Sequence, residues 1–343
     1  MKGKSTSFDI AYMAGVSQAT VSRALRGSKL VSAETRAKVL AAAKALNYRV
    51  DKNASSLRSQ HSNTLALLLF EDPTSDGSLI NPFFLAMLGS IIRACGAQGY
   101  DLLLSFQQLE DDWHAVYQLS HKADGLILLG YGDYRHYRPK LEQLVEAGTH
   151  FVRWGSAVEG QAGVSVGCDN VQGGRAMAQH LLAMGRQRIA FIGTTSLQCP
   201  EFRDRYRGLC EALTAAGLAA DPALQVDASD STEQVGEQAT AQLLGSGVPF
   251  DAVFAASDLL AIGALRALEA AGLRVPEQVA LGGFDDIPMA SLTTPPLSTV
   301  AQDTALAGEL LVQTLVRQIR GDSDAGSAML PARLVVRRSC GAS

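Results

Sequence analysis

The sequence predicts an α/β protein in which a small all-α head precedes a body built from doubly wound parallel sheets. Three observations carry that expectation. The chain has 343 residues, which at roughly 150 residues per domain means about two domains and some remainder. Its composition, 47% hydrophobic and 19% charged, is that of a globular protein able to bury large cores. From residue 64 onward, apolar runs of strand length alternate with helical stretches, whereas the first 60 residues hold only short helical patterns. No apolar run reaches the roughly 18 residues of a spanning helix. Met1-Lys2-Gly3-Lys4 leads into Ser5-Thr6-Ser7-Phe8-Asp9 and not into an apolar signal core, so a cytoplasmic chain is expected.

Charge separates the two parts. Residues 1–62 hold eleven Lys and Arg against three acids, a local +8, while the rest carries 19 bases against 31 acids, or -12. A compact basic head on an acidic body suits a polyanionic partner, because Lys and Arg that neutralise phosphates release counterions. Charge alone also allows a solvated basic face with no partner.

The order of residues in the head narrows this. Residues 8–14 read as a short helix with Phe8, Ile10, Ala11 and Ala14 toward the inside. Gly15 permits the positive φ of a tight turn, Val16 fills the space between helices, and Ser17 is a natural N-cap. The second helix, 18–25, buries Val21 and Leu25 and turns Gln18, Ala19, Ser22 and Arg23 outward. A third helix from Ala33, capped by Ser32, adds Val39, Leu40, Ala43 and Leu46 to the core. This is helix-turn-helix geometry, whose second helix enters the major groove of double-stranded DNA. Gln can read adenine and Arg guanine through paired hydrogen bonds. Ser17, Gln18, Ala19, Thr20, Ser22 and Arg23 are therefore the candidate DNA contacts of the head.

Ala14-Gly15-Val16-Ser17, Thr20-Val21-Ser22-Arg23-Ala24-Leu25, Val31-Ser32-Ala33-Glu34-Thr35-Arg36 and Leu46-Asn47-Tyr48 together resemble the LacI/GalR family of bacterial transcription regulators. The resemblance implies that Gln18 and Ala19 are variable operator-reading positions and that Arg23 contacts a base. It also gives a meaning to residues 50–62, which alone read as a polar linker too short to hold a helix in water. In the family this segment is a hinge helix that folds when two copies meet on DNA. Asn53 and Ala54 lie on it, and Leu57 holds the position of an apolar wedge that kinks the minor groove. Val50 stands where the family often has proline.

In the body, 64–70, 100–104, 125–129, 150–152 and 164–166 look like one set of buried strands, and 188–193, 224–226, 252–255 and 279–284 like a second. Two such sets mean two open sheets, whose ligands bind beyond the carboxyl ends of the strands. The body resembles the same family's periplasmic-binding-protein-like effector domain through Asn81-Pro82-Phe83-Phe84, Asp169-Asn170, Gly173-Gly174-Arg175, Arg205-Tyr206-Arg207-Gly208, Gly283-Phe284-Asp285-Asp286 and Thr294-Pro295-Pro296. The architecture this implies is a head at 1–49, a hinge at 50–62, a first lobe at 63–165 plus 292–322, and a second at 166–291 plus 323–343.

By the same resemblance Arg205 and Asp285 bind the hydroxyls or ring of an effector, Asn81 and Phe83 line the first lobe, and Ser257 and Gln302 edge the cleft. Asp258 serves equally as a helix N-cap. Two features depart from the family. The loop 71–80 is longer than usual, and Arg153-Trp154 replaces an Ile-Asp type strand end. An indole with a nearby guanidinium suits stacking on a sugar ring; packing is the alternative for Trp154.

Catalytic signatures are missing. The sequence has no nucleophile elbow, phosphate loop, H-E-x-x-H or dinucleotide fingerprint. Its six histidines form no ligand-spaced pair, and Cys95, Cys168, Cys199, Cys210 and Cys340 form no C-x-x-C. No metal, cofactor or disulfide framework is expected. The adjacent pairs Asp111-Asp112 and Asp285-Asp286 read as a helix start and a cleft loop. The function expected is a non-enzymatic regulator, a repressor of a carbohydrate-utilisation operon, that binds operator DNA as a homodimer and responds to a sugar-like effector. The alternative is a solute or sugar receptor without DNA regulation, and an enzyme fused to a DNA-binding head ranks behind both. With no heptad pattern near its end, the chain is not expected to form a coiled-coil tetramer.

Overall fold

The computed structural model describes residues 5–25, 27–28, 30–48, 61–70, 80–107, 111–130, 134–156, 161–322 and 324–341. Asn53, Ala54 and Leu57 of the expected hinge, and the loop at 71–79, lie outside the described residues. The chain divides into two compact units, 1–62 and 63–343.

The first unit contains α1 (Ser7–Ala14), α2 (Gln18–Leu25) and α3 (Ala33–Ala45). Thr6 and Asp9 cap α1 reciprocally, the Thr6 N–H donating to Asp9 Oδ2 at 2.7 Å. That bond and the Thr6 hydroxyl hold the Asp9 carboxyl below its usual range. Gly15, at φ 65°, ends the helix in the left-handed region, where a side chain would be strained. Ile10, Val21, Ala24, Val39, Ala42 and Ala43 form the core. Two expected core residues are outside it: Phe8 is 67% exposed and Leu40 50%. The cause is angular. Phe8 lies about 200° around the helix from Ile10, and Leu40 about 100° from Val39, off the stripe that Val39, Ala42 and Ala43 make at i, i+3, i+4.

The second unit opens with β1 (Thr64–Phe70), α4 (Pro82–Gln98), β2 (Asp101–Gln107), a π-helical turn at His114–Leu119, β3 (Gly125–Leu129), α5 (Tyr134–Glu146), β4 (Phe151–Trp154) and β5 (Val164–Cys168). It continues with α6 (Asn170–Ala183), β6 (Ile189–Ile192), α7 (Pro200–Ala215), β7 (Gln225–Val226), α8 (Glu233–Gly245), β8 (Ala252–Ala255), α9 (Asp258–Ala270) and β9 (Ala280–Gly282). It closes with β10 (Thr299–Ala301), α10 (Thr304–Ile319), β11 (Ala328–Leu330) and β12 (Arg333–Val335). A six-stranded parallel sheet runs β11-β5-β4-β3-β1-β2, and a four-stranded one β7-β6-β8-β9. β10 and β12 pair antiparallel on their own. Every residue of β3 and of β8 is buried, as strands covered on both faces require.

Three expected lobe boundaries shift. β5 stays in the first sheet through Cys168, past the expected crossing at 166, because it pairs with both β4 and β11. Residues 292–298 stay with the second sheet, since Gly282 bridges Ser298 and the Leu297 N–H donates to Ala290 O at 2.8 Å. β11 belongs to the first sheet, so the last crossing falls between Leu330 and Arg333 and not near 322.

Two of the sequence motifs acquire a packing reason here. A Cβ on Gly174 would sit 2.1 Å from the Arg205 carbonyl oxygen, and one on Gly208 2.2 Å from that of Val171. α6 and α7 therefore touch backbone to backbone, which only glycine permits, and Arg205 is carried on this locked pair.

Candidate functional site

In the head, the Thr20 N–H donates to Ser17 Oγ at 3.2 Å, so Ser17 caps α2, and the two hydroxyls lie 2.9 Å apart. Gln18 Nε2 donates to Ser7 Oγ at 3.1 Å, which ties the first residue of α2 to α1. Ala19 and Arg23 are exposed; Ser22 is half-buried. Below them Val21 and Ala24 anchor the helix. Arg36 was missed by the sequence reasoning as a structural tie: its Nη2 donates to Ser28 O at 2.6 Å and holds the connection between α2 and α3. One face of α2 is thus free and short of apolar groups while its other face is fixed on two sides.

In the body, a cavity of about 470 Å³ is lined by Phe83, Asp285, Asp286, Gln302, Leu330 and Arg333 among others. It lies at the second and third crossings between the sheets. Asp285 follows Phe284 at the end of β9 with φ 112°, and Asp286 has φ 54°, two successive non-glycine residues in the left-handed region. Arg337 Nη2 donates to Asp286 Oδ1 at 2.6 Å, and the Asp285 N–H donates to Val300 O at 2.8 Å. Strain of this kind persists only where surroundings over-determine the backbone.

Asp285 and Gln302 meet directly, Gln302 Nε2 donating to Asp285 Oδ1 at 2.7 Å. Behind them stands Arg205, whose Nη1 lies 3.5 Å from Asp285 Oδ1. Arg205 is fully buried. Its Nε donates to Asn170 Oδ1 at 2.9 Å, Nη1 to the Ala256 carbonyl, and the guanidinium lies 3.7 Å from the Phe284 ring centroid. Burial pushes the Asp285 carboxyl up to about 6, against the opposing pull of Arg205 and Gln302. Burial, with Asp285 adding to it, also holds Asp258 well above the carboxylate range.

The remaining expected residues are placed as follows. Ser257 is buried, caps α9 and pairs with Ser231 Oγ at 2.6 Å. Asn81 caps α4 through the Phe83 N–H at 2.9 Å, and its Nδ2 is buried without a hydrogen-bond partner among the described residues. Phe83 packs on Trp154 with centroids 5.8 Å apart. Trp154 is buried and backs the aromatic wall. Arg153 Nη2 donates to Ser156 O at 2.9 Å, and its buried Nε has no hydrogen-bond partner among the described residues. Of the expected set, Phe83, Asp285 and Gln302 line this cavity. Arg205 and Trp154 stand behind it.

Several polar residues around the site escaped the sequence reasoning. Asn170 orients Arg205. Asp258 accepts from the Ile287 N–H at 2.9 Å and from Thr299 Oγ1 at 2.5 Å. Glu201 and Asp204 are buried on α7. Glu201 was findable, since it lies four residues before Arg205 and so on the same helix face. Asp112 behaves as expected, its Oδ1 accepting from the Ala115 N–H at 3.0 Å at a helix start. Among the described residues, no helix is long and apolar enough to cross a membrane and no group of His, Cys, Asp and Glu is placed to hold a metal ion.

Comparison with known proteins covers both units. Residues 8–51 match the bacterial regulatory proteins of the lacI family, and 178–340 match the periplasmic binding protein-like domain. The HTH-type transcriptional regulator CelR of Thermobifida fusca is 34% identical over 336 residues, 96% of each chain. The ribose operon repressor of Escherichia coli K12 is 32% identical over 316 residues, 91% of this chain and 92% of that one. Among solved structures, a complex of the regulator CelR with cellobiose superposes with a TM-score of 0.73 at 33% identity, covering 98% of this chain and 99% of that one. The Lac repressor dimer bound to operator and the anti-inducer ONPF gives 0.81 at 28% identity, covering 99% and 100%. With identity at this level running through head and body alike, the chain belongs to the lacI family of bacterial regulatory proteins.

Proposed function

We propose that this protein is a cytoplasmic repressor of a carbohydrate-utilisation operon, controlled by a sugar-like effector bound between its two sheets, and that it is not an enzyme. One observation carries the reading. A single chain joins a helix-turn-helix head with Ala19 and Arg23 exposed to a cavity whose polar wall, Asp285 and Gln302, is assembled in advance and backed by Arg205. Relatives named for ribose and bound to cellobiose support a sugar as the ligand class.

Charge points the same way. Arg153 and Arg205 are buried with the four carboxyl groups of Glu201, Asp204, Asp258 and Asp285. With Asp258 held well above the carboxylate range and Asp285 raised to about 6, these carboxyl groups and the two guanidinium groups roughly offset one another, and no charge excess calls for an ionic ligand. A neutral polyol that both donates and accepts hydrogen bonds suits such a site, with Arg205, Asp285, Gln302 and Ser257 on one side and Asn81, Phe83, Arg153 and Trp154 on the other.

In the head, Gln18, Ala19, Ser22 and Arg23 read base edges while Ser17 and Thr20 sit against the backbone. Asn53, Ala54 and Leu57 follow as hinge contacts. A homodimer places two heads on a near-palindrome. The exposed apolar residues Leu85 and Ile92 on α4, and Leu104 and Phe106 on β2, give a second copy a surface to cover. Effector binding changes the relation of the two sheets and thereby operator affinity, with a coupling of about 1–3 kcal/mol.

The experiment is selection of binding sites from random duplex DNA by the full-length protein, followed by titration of the selected site with and without each of a panel of sugars. A recurring near-palindrome whose affinity shifts at least about fivefold with one sugar is expected. Selection of no preferred sequence would refute the reading in favour of a plain receptor, and turnover of the sugar would refute the non-enzymatic assignment. Deleting residues 1–62 should abolish site binding and leave sugar affinity nearly intact.

A further inference from the structure

We infer that Ser156, Glu201 and Asp204 form a latch between the two sheet halves and set how readily the cleft opens. Ser156 follows β4 in the first half. Its N–H donates to Glu201 Oε1 at 2.8 Å and its hydroxyl to Asp204 Oδ2 at 3.1 Å, both on the first turns of α7 in the second half. Glu201 and Asp204 are three residues apart and so share one helix face. The third polar group of Ser156, its carbonyl, accepts from Arg153 Nη2, which fixes the loop that presents the other two.

All three latch residues are buried. Gly155 makes the approach possible: it has φ 152°, and a Cβ there would sit 2.7 Å from Arg153 Nη1 and 3.0 Å from Glu201 Oε1. Asp204 Oδ1 is near Arg203 and Arg207 only at 3.6 and 3.7 Å, beyond hydrogen-bond length. Within the second half, Glu201 also accepts from Cys199 Sγ at 3.6 Å; from the first half, the two donors of Ser156 answer these two carboxylates. Closing the latch removes them from water and opening it returns them, so desolvation opposes the hydrogen bonds and the balance is shallow. A shallow balance suits a reversible closure better than a permanent weld. The chain already joins the halves at three crossings; this tie is non-covalent and can let go.

The meaning for regulation rests on the proposed function. If the effector prefers the closed cleft, its apparent affinity falls in proportion to the fraction of molecules that are closed, and the latch is a built-in setting of that fraction.

A second contact between the halves supplies the readout. The Tyr134 N–H donates to Gln198 O at 3.0 Å, with no bond to any latch residue. Amide hydrogen exchange is measured on the full-length protein with neither effector nor DNA, for wild type, Ser156→Thr and the double variant Glu201→Ala, Asp204→Ala, which removes both acceptors. In the double variant Tyr134 should exchange about tenfold faster, while Val253 in β8 keeps its wild-type rate. Ser156→Thr retains both donors and should match wild type at Tyr134. An unchanged Tyr134 rate in the double variant would overturn the latch, leaving only local packing. Equal acceleration at Tyr134 and Val253 would overturn it too, since the whole unit would then have loosened. Because no operator or sugar enters the measurement, its failure leaves the regulator reading standing, and the converse holds.

Discussion

The two walls of the cleft are finished to different degrees. On the second-half wall, Arg205 reaches Asn170, Ala256, Asp285 and the Phe284 face at once, and Asp285 also holds Gln302. On the first-half wall, Arg153 Nε and Asn81 Nδ2 are buried with no hydrogen-bond partner among the described residues. Buried polar groups are ordinarily satisfied, and an orphan calls for an explanation. The Arg205–Asp285–Gln302 cluster is preorganised, while the site carries two orphan donors on the first half and one orphan acceptor, Asp204 Oδ1, on the second; under the proposed function the donors serve a ligand.

Replacing Arg205 should produce the largest effect and break the contrast outright. Arg205→Ala strands Asp285 in a buried position, which costs about 3–5 kcal/mol. Urea denaturation should show that loss; a change below 1 kcal/mol would mean the second wall is not the preorganised one.

The next effect is a pH dependence. Burial raises the Asp285 carboxyl in the folded protein to about 6 from its ordinary 3.8, so the folded state holds this proton more tightly than the unfolded chain. The stability this contributes is present below pH 4 and is lost as pH rises through 6. Asp285→Asn should remove about 2 kcal/mol of the difference in unfolding free energy between pH 4 and pH 7. Identical pH profiles for the variant and wild type would show that the carboxyl is not held in this way.

The first wall should respond more weakly. Asn81→Ala removes the cap of α4, at a cost of about 1 kcal/mol. Arg153→Met gives up the bond to Ser156 O but also a buried charge with no ion pair among the described residues, so stability should fall by only about 1 kcal/mol. Both should abolish sugar-dependent shifts in operator binding. A loss for Arg153→Met as large as that for Arg205→Ala would erase the distinction between the walls.

How much of this was legible in the sequence follows from the range of the interactions involved. The head was readable because its turn chemistry is local: Gly15, Ser17 and the spacing of Val21 and Leu25 lie within a dozen residues of one another, although Ala24 is buried more fully than Leu25. The long strands were readable too, β1, β3 and β8 coinciding with their apolar runs. The three-residue strands β10, β11 and β12 carry no period to detect, and their absence from the reading moved the lobe boundaries. Arg205 and Asp285 were found only through family motifs, being 80 residues apart. Ser156 and its carboxylate partners, 45 and 48 residues away, belong to no motif. Trp154, a candidate platform for a sugar, is placed where it packs on Phe83.

Asn170 has one further consequence. It is the first residue of α6, just beyond the crossing that leaves β5, and it links two things at once: its Nδ2 donates to Cys168 O at 3.1 Å and its Oδ1 accepts from Arg205 Nε. The proposed sensing arginine is thus fastened beside a fulcrum, as Gln302 is beside the next one after β10. A lever loaded close to its pivot trades force for travel. Under the proposed function, a ligand that shifts these side chains by a fraction of an ångström would turn each half through a small angle, with a displacement that grows in proportion to distance from the axis. A cavity at the crossings is where the least movement of a ligand would yield the most movement at the far edges of the halves.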